Sequence, residues 1–488
     1  MSPLDNAQQQ LIAYLKTPLA IRERCDRIFT LATADQLQYF RCNLTKLDQV
    51  ANYVIEVMHQ HYPDFQIPFH SRWRHFEVEN VPRLQELDQK LAGFTPLQKA
   101  QTKFDLVIIS VLLDAGAGSN WQYHEPETGL VFRRSEGLAV ASFRMFCQGA
   151  FSSDPDLPWQ VDAKGLQSLS AHHLAQGFQV SQANPLIGIE GRLALLQRLG
   201  KALVEIPQMF GKVNPRPGNL VNYLLNDLVN YQLLDKLQVT KGLHDSNLNL
   251  ESWEDNQSWV KPLTDSQPPQ EQPANLQPAN LQPANLQPAN LQPANLQPAN
   301  LQPAKLLSAT NLFSTVLEGL GDIWPKRESI AGVNLGDVWQ HSALKGDNYG
   351  SEYVPFHKLS QWLTYSLLEP LQELGLEITE LDQLTGLAEY RNGGLCLDLG
   401  LLEVKDSAIL QQSHLPSSEV IIEWRALTVS LLDQIAATIR QQLNLSATES
   451  PLVKVLQGGT WTAGRRIAAQ LRPGGSSPIQ IDSDGTVF

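Results

Sequence analysis

Phe104-Asp-Leu-Val-Ile-Ile-Ser-Val-Leu-Leu-Asp114-Ala-Gly-Ala-Gly-Ser-Asn-Trp121 is the stretch on which the reading of this chain turns. Leu106, Val107, Ile108, Ile109, Val111, Leu112 and Leu113 form a run that belongs in a core. The run ends abruptly in a carboxylate, Asp114. Gly116 and Gly118 follow, and glycines let another backbone or a ligand approach closely. Trp121, Tyr123 and Glu125 come next. A carboxylate delivered at the end of a buried run, beside glycines and an indole, reads as the wall of a small-molecule pocket.

Outward from this block, helical spacing dominates. Leu37, Phe40, Leu44, Leu47, Val50, Val54 and Val57 recur every three or four residues, as do Leu220, Leu224, Leu228, Tyr231 and Leu234. Each set predicts an amphipathic helix with one buried stripe. Residues 356–374 and 420–439 show the same period, and Gly200 and Gly375 fall where helix C-caps are expected. Strand-like alternation is sparse, with residues 394–398 and 478–482 the better candidates. The expected fold class is therefore mainly α, a multi-helix globular fold with a few short strands.

One boundary is plain. Over residues 272–306 the pentapeptide Gln-Pro-Ala-Asn-Leu repeats, ending in the variant Gln302-Pro-Ala-Lys-Leu306. A proline every fifth residue removes amide donors and blocks a continuous helix or central strand, and one Leu per repeat is too little apolar surface for a solenoid. The expectation is a disordered, solvated insertion over residues 256–308. It separates an N-terminal helical part, 1–255, that carries the pocket wall from a C-terminal helical part, 309–488, that completes the same site.

With 488 residues, 42% of them apolar, the chain can build a sizeable core. No apolar run approaches the roughly 20 residues of a membrane span. Met1-Ser-Pro-Leu-Asp has neither the basic region nor the apolar core of a signal peptide, so a cytoplasmic protein is expected, with no membrane partner. The four cysteines, Cys25, Cys42, Cys147 and Cys396, are scattered, which predicts free thiols. Asp and Glu outnumber Lys and Arg by 50 to 37, a net charge of −13, which is the wrong sign for a protein that neutralises phosphate backbones. Nucleic acid is thus a poor candidate partner, and none is expected; a damaged-DNA glycosylase would need a basic face. A single phosphate remains open, because local field decides that.

The common nucleotide-binding and hydrolase templates, Gly-x-Gly-x-x-Gly, the phosphate-cradling loop ending in Gly-Lys-Ser/Thr, and Gly-x-Ser-x-Gly, are all missing. His70, His75, His172, His173, His341 and His357 do not fall at metal-ligand spacings, and neither a metal nor a cofactor is expected. What clusters is carboxylate with aromatic and cation. Ser71-Arg-Trp-Arg-His-Phe76 suits a phosphate or a stacked planar group, and equally a solvated Arg face over a buried Trp. Lys358 and Trp362 lie four apart on one helical face, which also fits a core Trp with a snorkelling Lys. In Thr385-Gly-Leu-Ala-Glu-Tyr-Arg-Asn-Gly-Gly394, Glu389 follows an apolar pair and precedes Arg391, a setting that fixes a carboxylate beside a cleft or pairs it with the Arg. Glu423 lies between Ile422 and Trp424 at a helix start, where a dipole partner is the plainer role.

Asp114-Ala-Gly-Ala-Gly, Glu125-Pro-Glu-Thr, Arg134-Ser-Glu-Gly-Leu-Ala-Val-Ala-Ser-Phe143, Asn184-Pro-Leu-Ile-Gly, Val354-Pro-Phe-His-Lys-Leu-Ser-Gln-Trp362, Glu389-Tyr-Arg-Asn-Gly-Gly394, Glu423-Trp-Arg-Ala-Leu-Thr428 and the tail Asp482-Ser-Asp-Gly-Thr-Val-Phe488 together resemble the uracil-catabolism protein-four family, also called the Urg-three type. The resemblance implies a place in a pyrimidine breakdown route that ribosylates uracil, opens its ring and ends in urea. A more distant resemblance, carried by Leu113-Asp114 with Trp121, residues 185–196, Phe356-His-Lys-Leu-Ser-Gln, Leu384-Thr-Gly-Leu-Ala-Glu-Tyr-Arg and Val420-Ile-Ile-Glu-Trp-Arg-Ala, is to the queuosine-salvage nucleotide N-glycosylase family. That family implies a DNA-glycosylase-like, helix-hairpin-helix scaffold. Its Asp-Tyr-Arg is Glu389-Tyr-Arg391 here, a carboxylate one methylene longer, and Asn392-Gly-Gly394 replaces its Val-Pro-Gln.

What these resemblances imply is an N-glycoside hydrolase that cleaves the ribosyl C–N bond of a (phospho)ribosylurea or related pyrimidine-derived nucleotide, releasing urea or base. Glu389 would then serve the sugar cation, and Asp114 or Glu125 the leaving group. Trp121 would cover that group, Lys358 with Arg391 would hold a 5′-phosphate, and Trp362 and Glu423 would complete the substrate contacts. The alternative is a non-catalytic module that binds a pathway intermediate or another uracil-degradation enzyme.

Overall fold

Thr95 opens the helix that contains the apolar run. Its hydroxyl accepts the Gln98 N–H while the Gln98 side chain reaches back to the Thr95 amide, and Pro96 occupies the first turn. A computed structural model of the chain describes residues 5–114, 116–118, 120–228, 305–325 and 327–482. The described residues up to 228 and from 305 onward belong to one unit of packed structure. Its helices include α1 (Arg72–Phe76), α2 (Pro96–Leu112), α3 (Arg134–Cys147), α4 (Ile189–Glu205), α5 (Lys358–Glu373), α6 (Tyr390–Asp398), α7 (Glu419–Leu443) and α8 (Trp461–Leu471).

The architecture is mainly α, with short two-stranded ladders at its edges, as the spacing predicts. From Phe104 to Leu112 every residue of α2 is buried, so this helix runs through the centre and packs against α5 and α3. The long helix α7 is covered by Pro18–Thr33 and Leu47–His61, and α6 lies against α8. One large apolar core joins residues from both sides of the pentapeptide tract. All four cysteines are free thiols, Cys25 and Cys396 buried. No helix among the described residues is long and apolar enough to cross a membrane.

Several local expectations are corrected. The helix expected from Leu37 begins only at Leu47, because Phe40–Cys42 is a strand paired antiparallel with Leu402–Val404. Phe40 is still fully buried, so its apolar spacing reports the core and not the helix. Residues 394–398 are helical, not extended: Glu389 caps α6, and helical spacing buries Leu395 and Cys396. Gly200 lies inside α4 and caps nothing; a Cβ there would lie 2.9 Å from the Ala163 carbonyl of the adjoining helix Ala163–Ser168. Gly375 does follow α5 in the left-handed region, at φ +82°.

Gln480–Ile481 is a strand, paired in parallel with Ser413–His414. Lys305–Ser308 is also a strand, paired in parallel with Leu376–Thr379, so the last four residues of the segment assigned to the repeat insertion belong to the folded unit. The rest of that segment to residue 304, the helical positions Tyr231 and Leu234, and the tail beyond Asp482 lie outside the described residues.

The α6–α8 contact depends on one glycine. A Cβ at Gly464 would sit 2.3 Å from the Arg391 carbonyl, backbone that cannot give way without moving α6. Gly464→Ala is expected to destabilise the protein by about 1–3 kcal/mol in urea unfolding; an unchanged midpoint would show that these helices do not meet there.

Candidate functional site

A cavity of about 350 Å³ lies where the N-terminal ends of α3, α5, α6 and α8 meet the chain leaving α2. Five of the expected site residues line it or bear on it. Asp114, Lys358, Trp362, Glu389 and Arg391 all contribute to its wall.

Glu389 is the N-cap of α6. Its Oε2 accepts the Arg391 N–H at 2.8 Å and its Oε1 the Asn392 N–H at 2.7 Å. Burial pushes its carboxyl above the usual carboxylate range, against the opposing pull of the Lys358 and Arg391 charges and the two amides. No Glu389–Arg391 ion pair forms, since the Arg391 guanidinium donates instead to the Gly475 carbonyl at 2.8 Å.

Lys358 begins α5, its amide donating to Asp337 at 3.1 Å. The ammonium lies over the Trp362 ring, 5.7 Å from its centroid, and has no carboxylate within ion-pair distance among the described residues. Burial lowers its pKa, while Glu389 and Asp114 pull the other way.

Asp114 leaves α2 and meets Arg72 of α1, whose Nη1 lies 3.0 Å from Oδ1, while Ser135 Oγ lies 2.7 and 2.8 Å from its two oxygens. Gly118 allows the following turn: it has φ +84° and faces Ile187 so closely that a Cβ would come within 2.9 Å.

Four rings enclose one side of the cavity. His75 lies 5.4 Å from Trp461 and 5.7 Å from Trp362, and His70 lies 6.0 and 6.4 Å from the same two rings. Both imidazoles are neutral, His70 lowered by burial to about 4 and His75 well below its ordinary value by burial and then by Arg72. Their tautomers follow from their partners. His70 Nδ1 is 3.0 Å from Gln457 Oε1, and the Gln457 amide donates to Tyr62, so Nδ1 carries the proton and Nε2 is the acceptor. His75 Nδ1 accepts from Arg72 Nη1 at 3.2 Å, so its Nε2 is the donor. Gln457 itself belongs to a π-helical turn, Leu456–Thr460, an irregularity common at functional sites.

Three expected contacts are elsewhere. Trp121 is fully buried under α3 with its N–H on the Phe178 carbonyl at 2.9 Å, so it packs the core and covers no ligand. Glu125 is sealed in an ion network, accepting from Arg83 Nε, Arg144 Nε and Thr128 Oγ1 at 2.6–2.7 Å. Those donors hold its carboxyl down at about 2. Glu423 accepts the Gln38 and Tyr39 amides at 3.4 and 3.2 Å and is fully buried away from the cavity.

Conversely, Arg134, Trp461 and the Gly475-Ser-Ser477 turn line the cavity without having been singled out as site residues. The Gly-Gly pairs in Leu456-Gln-Gly-Gly-Thr-Trp461 and Arg472-Pro-Gly-Gly-Ser-Ser-Pro478 were the available signals. Among the described residues no cluster of three His, Cys, Asp or Glu side chains is arranged to hold a metal ion.

Residues 14–265 and 270–488 match the family described as Protein of unknown function (DUF1688). The chain is similar to Protein urg3 of Schizosaccharomyces pombe, 36% identical over 489 residues that cover 98% of this chain and 99% of the relative. It is also similar to Uracil catabolism protein 4 of Lachancea kluyveri, 34% identical over 507 residues that cover 98% and 99%.

The two kinds of buried charge should respond oppositely to removal. Glu125→Ala strands the buried Arg83 guanidinium and takes from Arg144 one of its carboxylate partners, and it is expected to cost about 3–5 kcal/mol. Lys358→Met removes an ammonium that no carboxylate pairs and should leave the Tm equal or higher. Thermal unfolding of both variants checks the contrast.

Proposed function

The chain belongs to the DUF1688 family, and on that premise we propose that it acts in uracil degradation as an N-glycoside hydrolase, cleaving the ribosyl C–N bond of a (phospho)ribosylurea or a related pyrimidine-derived nucleotide. One relative's name ties that protein to uracil catabolism. The observation that carries the reaction is Glu389, a buried carboxylate pinned by two amides in the wall of a cavity that also holds an unpaired ammonium and four rings.

Breaking a ribosyl C1–N bond builds positive charge on the sugar, and a fixed carboxylate in a site shielded from water stabilises it without reorganising. Glu389 has lone pairs beyond those used by the amides, and its raised pKa makes it a better base for the water that attacks C1. The bond's electron pair leaves on nitrogen, which takes a proton; Lys358, made more acidic by burial, supplies it. The water oxygen joins C1 and its proton goes to Glu389. A ureido group presents a carbonyl acceptor and N–H donors, matching the His75 Nε2–H and the His70 Nε2 lone pair between the two indoles. Asp114, neutralised by Arg72, keeps Ser135 and His75 in place.

Purified protein incubated with ribosylurea and its 5′-phosphate should release urea and sugar in equal amounts, and no release from the wild type overturns the reading. Glu389→Gln should lose about two to three orders of magnitude in kcat.

The pH profile has two signed limbs. Activity falls as pH drops through the Glu389 value, which lies above the ordinary 4.5, because the carboxylate is protonated. It falls again as pH rises through the Lys358 value, which lies below the ordinary 10.5, because the acid is lost. Lys358→Arg should move the alkaline limb upward.

A further inference from the structure

We propose that Arg134 and Arg391, with the Ser477 hydroxyl, form a clamp for the 5′-phosphate of a ribose phosphomonoester. The inference rests on the proposed ribosyl reading of the cavity and deepens it, because it makes the phosphorylated compound the substrate.

The two guanidiniums come from the first turns of different helices, α3 and α6, and are held by one turn: Arg134 donates to the Gly474 carbonyl and Arg391 to the Gly475 carbonyl. That turn is anchored in its own right. Arg472 pairs with Asp398 through two bonds of 2.7 and 2.6 Å and bonds the Ser476 carbonyl, while Gly474 and Gly475 both adopt the left-handed conformation that lets adjacent carbonyls present themselves to the two arginines. Neither arginine has a carboxylate within ion-pair distance among the described residues, although Arg391 is 94% buried by its 6% exposure. Burial, and after it the neighbouring Arg391 charge, press the Arg134 guanidinium toward its neutral form.

Such an arrangement is costly for an empty protein and is relieved by an anion that accepts from both forks. Each guanidinium keeps further N–H groups that no described residue uses and that are not sealed from the cavity. Ser477 lines the same wall, and its buried hydroxyl has no hydrogen-bond partner among the described residues. Arg465, the other nearby guanidinium, is already committed to Glu136 and the Trp461 face, so it is not part of the clamp.

Two charged forks with a hydroxyl suit a dianion with three terminal oxygens better than a carboxylate, which one fork satisfies. Position supplies the remaining selectivity. Glu389 and Arg391 share the first turn of α6, and a ribose 5-phosphate likewise separates its C1 from its phosphate by one sugar ring. Lys358 lies over the ring of Trp362, one of the two indoles assigned to the ureido group, so it serves the leaving group and not the phosphate.

Calorimetric titration of the full-length protein with ribose 5-phosphate, ribose and inorganic phosphate tests the clamp without any turnover. Ribose 5-phosphate should bind at least about a hundredfold more tightly than ribose, the worth of two charge-assisted contacts, and more tightly than inorganic phosphate. Arg134→Gln, a half-exposed position, should weaken ribose 5-phosphate about ten- to a hundredfold and leave ribose unchanged. Arg391→Lys, which keeps the charge but loses the fork, should weaken it as well.

Equal binding of ribose and its phosphate, or an unaltered affinity in Arg134→Gln with its Tm intact, overturns the proposal. So does equal binding of inorganic phosphate, which would mark a free-anion site. Glu389→Gln should retain ribose 5-phosphate binding, so a failure of urea release with the clamp intact counts against the hydrolase reading alone.

Discussion

The buried pair between Arg72 and Asp114 is the constraint from which the cavity's chemistry follows. The guanidinium is entirely enclosed and ties three helices together. Through Nε it holds Ser110 of α2 at 2.7 Å, through Nη1 it holds Ser135 of α3, and it sits on α1 itself. Desolvation of such an ion is repaid only when its donors are used, and here most of them are. Two consequences reach the site. His75 must accept at Nδ1, which turns its Nε2–H outward as a donor. Asp114 is paired with an arginine that does not line the cavity, and it acts on Lys358 from beyond ion-pair distance.

That division separates two populations of buried charge in one molecule. Glu125, Asp105 and Asp337 are saturated: Asp337 takes both Nη atoms of Arg425 at 2.7 Å together with the Trp339 indole and the Lys358 amide, and Asp105 takes Arg216 with the Val161 and Gly218 amides. These pairs fix loops to helices. Lys358, Arg134 and Arg391 are buried or half-buried and carry no carboxylate partner among the described residues. Arg24 and Arg198 are also held by carbonyls, those of Ser351 and Ile323, but Lys358, Arg134 and Arg391 all face one space, and a concentration of cations on one cavity wall is what a site for an anionic ligand requires.

The sequence disclosed the site wherever the local pattern itself carried the constraint. Asp114 ends a run that can only be core, and Glu389 stands before a polar-glycine stretch as an N-cap does, so both were readable as carboxylates fixed beside a cleft. Lys358 and Trp362 share a helical face, and the structure puts both on the cavity. For Trp121, Glu125 and Glu423 the pattern said "buried" and nothing more. Whether a buried carboxylate meets ligand, amide or guanidinium is decided by residues remote in the chain, such as Arg83 and Arg144 for Glu125 or the Gln38 and Tyr39 amides for Glu423. The same remoteness hid Arg134 and Trp461, and it left His70 and His75 without a role. Phe40 shows the related limit for the fold, since apolar spacing reports burial, and strand pairing with Leu402–Val404 buries it as well as a helix would.

Net charge and local charge point in opposite directions, and the difference has a use. The chain carries −13 overall, which disfavours long polyanions, yet the cavity wall brings Lys358, Arg134 and Arg391 together with only Glu389 left unneutralised among its carboxylates. A low-dielectric recess lets that local excess act at short range, while the acidic exterior is screened within about 10 Å at ordinary salt. An extended nucleic acid would have to lay many phosphates along the acidic surface to bring one into the recess. A single phosphorylated sugar, as proposed, would enter alone and meet Lys358, Arg134 and Arg391 with Glu389. On the proposed reading, the same charge distribution would disfavour the polymer and favour the monomer.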